Sequence, residues 1–190
     1  LAAWKGGQPP RTARWIEDSD FRAEKGRVLL LPGEDGKAAG AVIGMGALGE
    51  LSELSLWHLA GTGGKLPPGD YRIATPLPDR AARQAALGFV YGEYRFDRYR
   101  SSGRPPGAAR LVLPEGCDAA HLKNTIEALT LARDLINTPA ADMGPAELAA
   151  AARELAAAFD AEIAVIEGGE LLSAGYPAIH AVGRASSRAP

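Results

Sequence analysis

The chain has a single cysteine, Cys117. It therefore carries no internal disulfide framework, and its composition fits a reducing compartment and a cytoplasmic protein. Histidines number three, His58, His121 and His180. They form no His-Glu-x-x-His motif and no Cys/His cluster, so zinc-ligand spacing is absent. No stretch approaches the roughly 18 apolar residues of a membrane span. The opening Leu1-Ala2-Ala3-Trp4-Lys5-Gly6-Gly7 lacks the basic segment and long apolar run of a signal peptide, and the absence of an initiator Met reads as a fragment. Formal net charge is −2, which leaves no global attraction to nucleic acid or acidic membranes. What is present is ordinary for a soluble globular protein: 190 residues, 46% hydrophobic and 23% charged, enough for one domain or one plus part of another.

The charge is unevenly distributed. Residues 71–110 hold eight Arg and no Lys against Asp79, Glu93 and Asp97, a surplus of +5. Residues 111–190 hold five Lys and Arg against eleven Asp and Glu, or −6. Two differently charged surfaces, solvated or packed on a neighbour, account for this most simply.

The first part of the chain alternates strands and helices. Arg27-Val28-Leu29-Leu30-Leu31-Pro32 reads as a buried strand closed by proline and the turn Gly33-Glu34-Asp35-Gly36. Ala41–Met45 reads as a second strand. From Leu48 to Ala60, the steps between Leu51, Leu54, Leu56, Trp57 and Leu59 predict a helix. Residues 61–69 hold four Gly and two Pro and predict a loop. Tyr71–Ala74 is a third strand, Asp79–Tyr91 an Ala-rich helix burying Ala82, Ala86, Leu87 and Val90, Ser101–Gly107 an exposed loop, and Ala109–Pro114 a further strand. Such alternation argues for an α/β sheet with helices on its faces. Trp4, Trp15, Ile16 and Phe21 imply an N-terminal segment packed on that core.

A connector follows. Asp118 is suited to cap a helix N-terminus, and Leu122, Ile126, Leu129, Leu131, Leu135 and Ile136 supply its apolar stripe. Asn137-Thr138-Pro139 ends it, because the residue before a proline avoids the α region. A helix of about 20 residues spans roughly 30 Å, enough to bridge two units. A second unit starts with Pro145 and Glu147 at the positive end of a helix whose stripe is Leu148, Ala152, Leu155 and Phe159. Strands are expected at Ala161–Ile166 and Ala178–Val182, with a short helix at Gly169–Ala174. Two short strands do not complete a catalytic α/β sheet.

Each pattern that could carry chemistry has a plainer reading. Gly44-Met45-Gly46-Ala47-Leu48-Gly49 matches G-x-G-x-x-G, which would let a pyrophosphate sit on a helix N-terminus. The acid such a site needs at the end of the next strand is missing, since that strand ends in Thr75-Pro76 and Asp70 lies at its other end. A tight strand-to-helix turn explains the glycines. His180 reads as a core histidine within a strand, and His58 and His121 as helix-face residues. Cys117 precedes a helix N-terminus, which would lower its pKa slightly, but no His or Lys neighbours it in sequence, and it reads as structural. Tyr91–Arg100 mixes aromatics with arginines as single-strand nucleic-acid binders do; a helix end with rings packed inward and Arg outside is the better reading, since no recognised RNA-binding motif accompanies the cluster. Asp142, Glu147, Glu154, Asp160, Glu162, Glu167 and Glu170 follow no repeated motif, whereas a two-metal hydrolase needs carboxylates converging on ions roughly 3.5–4 Å apart. They read as solvated surface.

Four runs carry a family resemblance: Leu87-Gly88-Phe89-Val90-Tyr91-Gly92-Glu93-Tyr94-Arg95-Phe96, Leu111-Val112-Leu113-Pro114-Glu115-Gly116, Ala132-Arg133-Asp134-Leu135-Ile136-Asn137-Thr138-Pro139-Ala140-Ala141-Asp142-Met143-Gly144-Pro145, and Tyr176-Pro177-Ala178-Ile179-His180-Ala181-Val182-Gly183-Arg184-Ala185-Ser186. In this order and spacing the chain resembles the leucyl aminopeptidases, peptidase family M17. The resemblance implies an N-terminal macro-domain-like three-layer α/β sandwich over 1–117, a connector helix over 118–138, and an incomplete beginning of the catalytic domain over 139–190. It implies two divalent metals, zinc or manganese, peptide substrates and a homo-hexamer for the full enzyme. The family's motif Asn-Thr-Asp-Ala-Glu-Gly-Arg, which clusters metal ligands and a catalytic Arg, does not occur. Asn137-Thr138-Pro139 matches only its first two letters and lies elsewhere. No catalytic, metal or cofactor-binding residue is therefore assigned, and the chain alone is expected to be inactive. Two rival readings are a macro-like module binding ADP-ribose or a nucleotide at Gly44–Gly49, and a nucleic-acid-binding regulator using residues 91–110.

Overall fold

The computed structural model describes residues 1–101 and 109–187. The chain divides into two compact units, Leu1–Thr130 and Leu131–Pro190. Most of the loop expected at Ser101–Gly107 lies outside the described residues.

Unit 1 opens with α1 (Ala2–Gly6) and α2 (Pro10–Asp18). Ile16 and Phe21 are buried as expected, while Trp4 and Trp15 stay partly exposed. The Trp15 indole N–H donates to the Leu30 carbonyl at 3.0 Å, which ties α2 to β1 (Val28–Pro32). β1 pairs antiparallel with β2 (Ala38–Ile43) from Val28↔Ile43 to Leu31↔Gly40, and the register slips at Pro32, where proline has no N–H for the ladder. The turn between them holds Gly36 at φ +77° and is tied by a Lys37 N–H donated to Asp35 Oδ1 at 3.0 Å.

The helix expected over Leu48–Ala60 does not form. Two short 3₁₀ turns, Leu51–Glu53 and Leu56–His58, stand there instead. Leu54 and Leu59 are both buried in one cluster with Ala81 and Ala85. Residues five apart point roughly 140° away from each other on an α-helix, so a continuous helix could not bury both. Extended Ser55 (φ −115°, ψ 164°) breaks the chain between them. Met45, Leu48, Ile73 and Leu77 pack against the same cluster.

β3 (Gly69–Tyr71) and β4 (Ala109–Leu111) pair in parallel, and α3 (Asp79–Tyr91) lies between them in the chain, a strand–helix–strand crossover. β3 meets the expected strand Tyr71–Ala74 only at Tyr71 and starts two residues earlier, while β4 takes the first three residues of Ala109–Pro114. α3 buries Ala82 and Ala86 as its pattern predicts, and Ala81, Ala85, Gly88 and Phe89 besides. Leu87 is half-buried and Val90 remains exposed. The small residues let backbone meet backbone: a Cβ on Gly88 would stand 2.0 Å from the Leu56 carbonyl oxygen, and one on Gly92 1.9 Å from the Gly61 nitrogen. The four strands form two separate pairs, so the architecture is mixed helix and sheet, without the single continuous sheet of a three-layer sandwich among the described residues.

α4 (Ala119–Asn137) runs through the division between the units. Asp118 caps it as expected, its Oδ1 accepting from the N–H groups of Ala120 (2.8 Å) and His121 (3.1 Å). At its end the Thr138 hydroxyl donates back to the Asp134 carbonyl at 2.6 Å. No residue of α4 is fully buried.

Unit 2 continues with α5 (Pro145–Ala158), α6 (Glu170–Ser173) and α7 (Pro177–Gly183). Pro145 starts α5, and the Glu147 carboxylate accepts from the Gly144 N–H at 2.9 Å. Neither expected strand is present among the described residues. Ala161–Ile166 has no regular structure, and Ala178–Val182 lies within α7. A strand needs a partner for its N–H and C=O groups; without one, Pro177 at the first helical position and two following alanines favour helix. The α5 stripe is also not buried: Leu148, Leu155 and Phe159 are exposed, because no described element covers that face.

Candidate functional site

The glycine-rich turn after β2 binds its own chain. The Gly44 N–H donates to the Arg27 carbonyl (2.8 Å), Gly46 to Ala23 (2.9 Å) and Leu48 to Gly46 (3.0 Å). The Gly49 N–H donates to the Glu53 carboxylate at 3.1 Å. Four amides of the turn that would cradle a pyrophosphate, those of Gly44, Gly46, Leu48 and Gly49, are therefore occupied, and a 3₁₀ turn, not an α-helix, follows. Gly44 is required for packing, since a Cβ there would lie 2.2 Å from the Glu24 carbonyl oxygen. Gly46 supplies a left-handed φ of +68°.

The histidines are dispersed. His58 Nδ1 lies 3.0 Å from the Ser55 nitrogen and accepts its N–H, closing the second 3₁₀ turn. His121 is exposed on the first turn of α4. His180 is half-buried on α7, a helical position in place of the expected strand. Among the described residues no three His, Cys, Asp or Glu side chains converge to hold a metal. The seven carboxylates beyond Pro139 are all exposed.

The arginine-rich segment is engaged within unit 1. Tyr91 meets Trp57 edge-on at 5.7 Å, and Phe96 meets Tyr99 at 5.9 Å. Arg98 stacks over Tyr99, Arg100 pairs with Asp97, and Arg110 bonds Asp70 across β4 and β3 at 2.6 Å. The Arg110 guanidinium, through this hydrogen bond and its charge, holds the Asp70 carboxyl below its usual range. Tyr91, Tyr94 and Phe96 are half-buried while Arg95, Arg98 and Arg100 face outward. That is a helix end packed on its neighbours, and it offers no row of free rings for bases to stack on.

One groove of about 150 Å³ lies between α3 and the start of α4, lined by Arg83, Leu87, Cys117, His121, Leu122 and Thr125. Burial pushes the Cys117 thiol up; the Arg83 guanidinium opposes this and Asp79 adds to it. The small lowering expected from the helix N-terminus is thus outweighed by desolvation, and the protonated thiol is no nucleophile at neutral pH. Sequence pattern missed two features of unit 1. Glu93 packs its carboxylate against Gly63, and its Oε2 is buried with no donor among the described residues. Gly88 and Gly92, the second of them also the C-cap of α3, are points of close backbone contact. Both depend on long-range approaches that leave no local signal.

Comparison with known proteins supplies the family. The family model for the M17 aminopeptidase N-terminal domain matches residues 1–114, and that for the cytosol aminopeptidase family catalytic domain matches residues 130–190. A probable cytosol aminopeptidase of Corynebacterium efficiens is 25% identical over 197 aligned positions, covering 100% of this chain and 39% of that protein. The crystal structure of the cytosol aminopeptidase from Coxiella burnetii is similar over 100% of this chain and 40% of its own, with a TM-score of 0.84 and 34% identity. The bottromycin maturation enzyme BotP in complex with Mn is similar over 92% of this chain and 40% of its own, with a TM-score of 0.71 and 30% identity. The chain thus spans about two-fifths of the length of these relatives. With both family models matched in order along it, the chain belongs to the M17 family of aminopeptidases.

Proposed function

We propose that this chain is the N-terminal part of a leucyl aminopeptidase, a cytoplasmic two-metal exopeptidase that releases N-terminal amino acids from peptides. The observation that carries this reading is the succession of N-terminal and catalytic family matches along one chain. Residues 1–117 form the N-terminal domain, 118–138 the connector and 139–190 the opening of the catalytic domain. In the full enzyme the N-terminal domain takes the macro-like sandwich form and serves hexamer assembly and access to the active site. The strand–helix–strand crossover of β3, α3 and β4 supports the α/β part of that proposal.

The full enzyme holds two divalent ions, zinc or manganese, consistent with the manganese in BotP. Such ions polarise the scissile carbonyl and activate water. The residues described do not fit a metal pair, so no catalytic step is assigned to them. The test is a chimera in which residues 1–190 replace the corresponding two-fifths of the Coxiella burnetii enzyme. It should release p-nitroaniline from Leu-p-nitroanilide with manganese or zinc, and the 190-residue chain alone should not. A folded, soluble chimera with no hydrolysis under either metal overturns the proposal, as does metal-dependent hydrolysis by the isolated chain.

A further inference from the structure

We infer that the groove between α3 and the start of α4 binds a free α-amino acid with an aliphatic side chain. The site rests on the groove itself; the function proposed above enters only as the source of such a ligand, which an exopeptidase acting on peptides releases. The inner wall of the groove is apolar: Ala86 is buried, and Leu87 and Leu122 are half-buried. Arg83, Asp118 and His121 line it as well, and all three are exposed. An apolar wall with a few polar groups beside it is the make-up of a small-ligand site.

The charges of the groove are unspent. Among the described residues the Arg83 guanidinium is in no ion pair or hydrogen bond, and it lies close enough to Cys117 for its charge to act on the thiol. Asp118 gives Oδ1 to the N–H groups of α4, which leaves Oδ2 to accept from a ligand. A guanidinium fork matches a carboxylate, and a carboxylate oxygen matches an ammonium group. One cation and one anion beside an apolar wall therefore complement a zwitterion with an aliphatic side chain. Other ligands fit less well. A phosphate or dicarboxylate would meet the Asp118 charge with no second Lys or Arg in the lining to offset it. Among the described residues no three ligating side chains converge on a metal ion. A volume of about 150 Å³ admits a benzene-sized group, which suits the leucine side chain and excludes a nucleotide.

Calorimetric titration of the 190-residue chain with L-leucine tests this. Leucine should bind with a Kd of about 1 mM. Isocaproate, which lacks the ammonium, and isoamylamine, which lacks the carboxylate, should each bind at least about tenfold more weakly. Arg83→Gln and Asp118→Asn should each weaken leucine binding by a similar factor. Asn keeps the helix cap and both positions are exposed, so circular dichroism should not change. Lys123→Ala, on the same helix but outside the groove, should bind as the parent does. Cys117 lines the groove, so leucine at ten times its Kd should slow alkylation of the thiol by iodoacetamide about tenfold. Absence of both heat and protection at that concentration overturns the inference. So does equal affinity for isocaproate, which would make the groove a simple carboxylate site, or parent-like binding by both variants. A chimera without hydrolysis leaves leucine binding standing, and a chain that ignores leucine leaves the function proposal standing.

Discussion

Replacing Gly88 by alanine sets two effects against each other. Gly88 is buried within α3, and alanine in a helix interior is favoured over glycine by about 1 kcal/mol. Against this, the new Cβ would stand 2.0 Å from the Leu56 carbonyl oxygen and 2.8 Å from its carbon. Both are backbone atoms, so relief requires moving α3 and the 3₁₀ turn apart by more than about 1 Å. Overpacking of this kind costs about 1–3 kcal/mol. The displacement also strains the Leu56 N–H donated to Gln84 Oε1 at 3.0 Å, about 1 kcal/mol more. Net destabilisation should be about 1–3 kcal/mol, read as a lower urea midpoint with unchanged slope and a thermal midpoint lower by about 3–10 °C. Gly40→Ala is the control, since nothing lies within 4 Å of its Cβ position; it should stay within about 0.5 kcal/mol of the parent. A Gly88→Ala chain as stable as the parent would show that α3 does not rest on the Leu56 backbone, and the reasoning about this contact would fail.

Three further outcomes follow from single contacts. Glu93→Gln should stabilise unit 1 by up to about 1 kcal/mol, because a neutral amide is less costly than a carboxylate oxygen buried without a donor; a clear loss of stability in urea would reveal a donor to that oxygen. Asp118→Ala should cost about 1 kcal/mol by freeing the N–H groups of Ala120 and His121, and Asp118→Asn should recover most of it; equal losses for both would rule out the capping role. The raised Cys117 pKa should make alkylation by iodoacetamide slower at pH 7 than for an unstructured cysteine peptide, with the rate climbing only at pH above the thiol's ordinary range. The folded chain favours the neutral thiol, so the stability it contributes is present below the unfolded thiol's pKa and is lost as pH rises through the raised folded value. Alkylation at the peptide's rate would contradict the burial.

What the sequence makes legible is local chemistry. Asp118, Asn137-Thr138-Pro139 and Pro145 place the ends of α4 and the start of α5 correctly because caps and prolines act on their own neighbours. The β1–β2 hairpin follows from an apolar run closed by Pro32 and Gly33. Leu48–Ala60 misleads because its leucines satisfy helical spacing while the core takes Leu54 and Leu59 together, a demand set by α3 and invisible within the segment. Ala161–Ile166 and Ala178–Val182 mislead for another reason: strand propensity describes a side chain on a paired, half-buried surface, and among the described residues no pairing partner stands beside either segment. The Gly44–Gly49 pattern reads as a tight turn, and it takes the hydrogen bonds to show the amides of Gly44, Gly46, Leu48 and Gly49 spent on Arg27, Ala23, Gly46 and Glu53.

The two units differ in a way that bears on what each contributes. Unit 1 closes a core of its own, with Ile16, Phe21, Leu54, Leu59, Ala81, Ala85 and Phe89 each less than a twentieth exposed. Glycines at positions 44, 88 and 92 admit backbone contacts that a Cβ would forbid. Unit 2 has helices with correct caps and starts and buries Leu171, but Leu148, Leu155, Leu172, Ile163, Ile166 and Ile179 lie at the surface. Capping and propensity contribute about 1 kcal/mol per site, whereas burying a leucine or phenylalanine contributes about 1.5–3 kcal/mol. Unit 2 thus has its local terms and lacks the larger ones. Amide exchange should separate the units on this basis, with α3 protected to the global stability of unit 1 and α5 and α7 exchanging through far smaller openings. Equal protection in α3 and α5 would show that unit 2 is stabilised by more than these contacts.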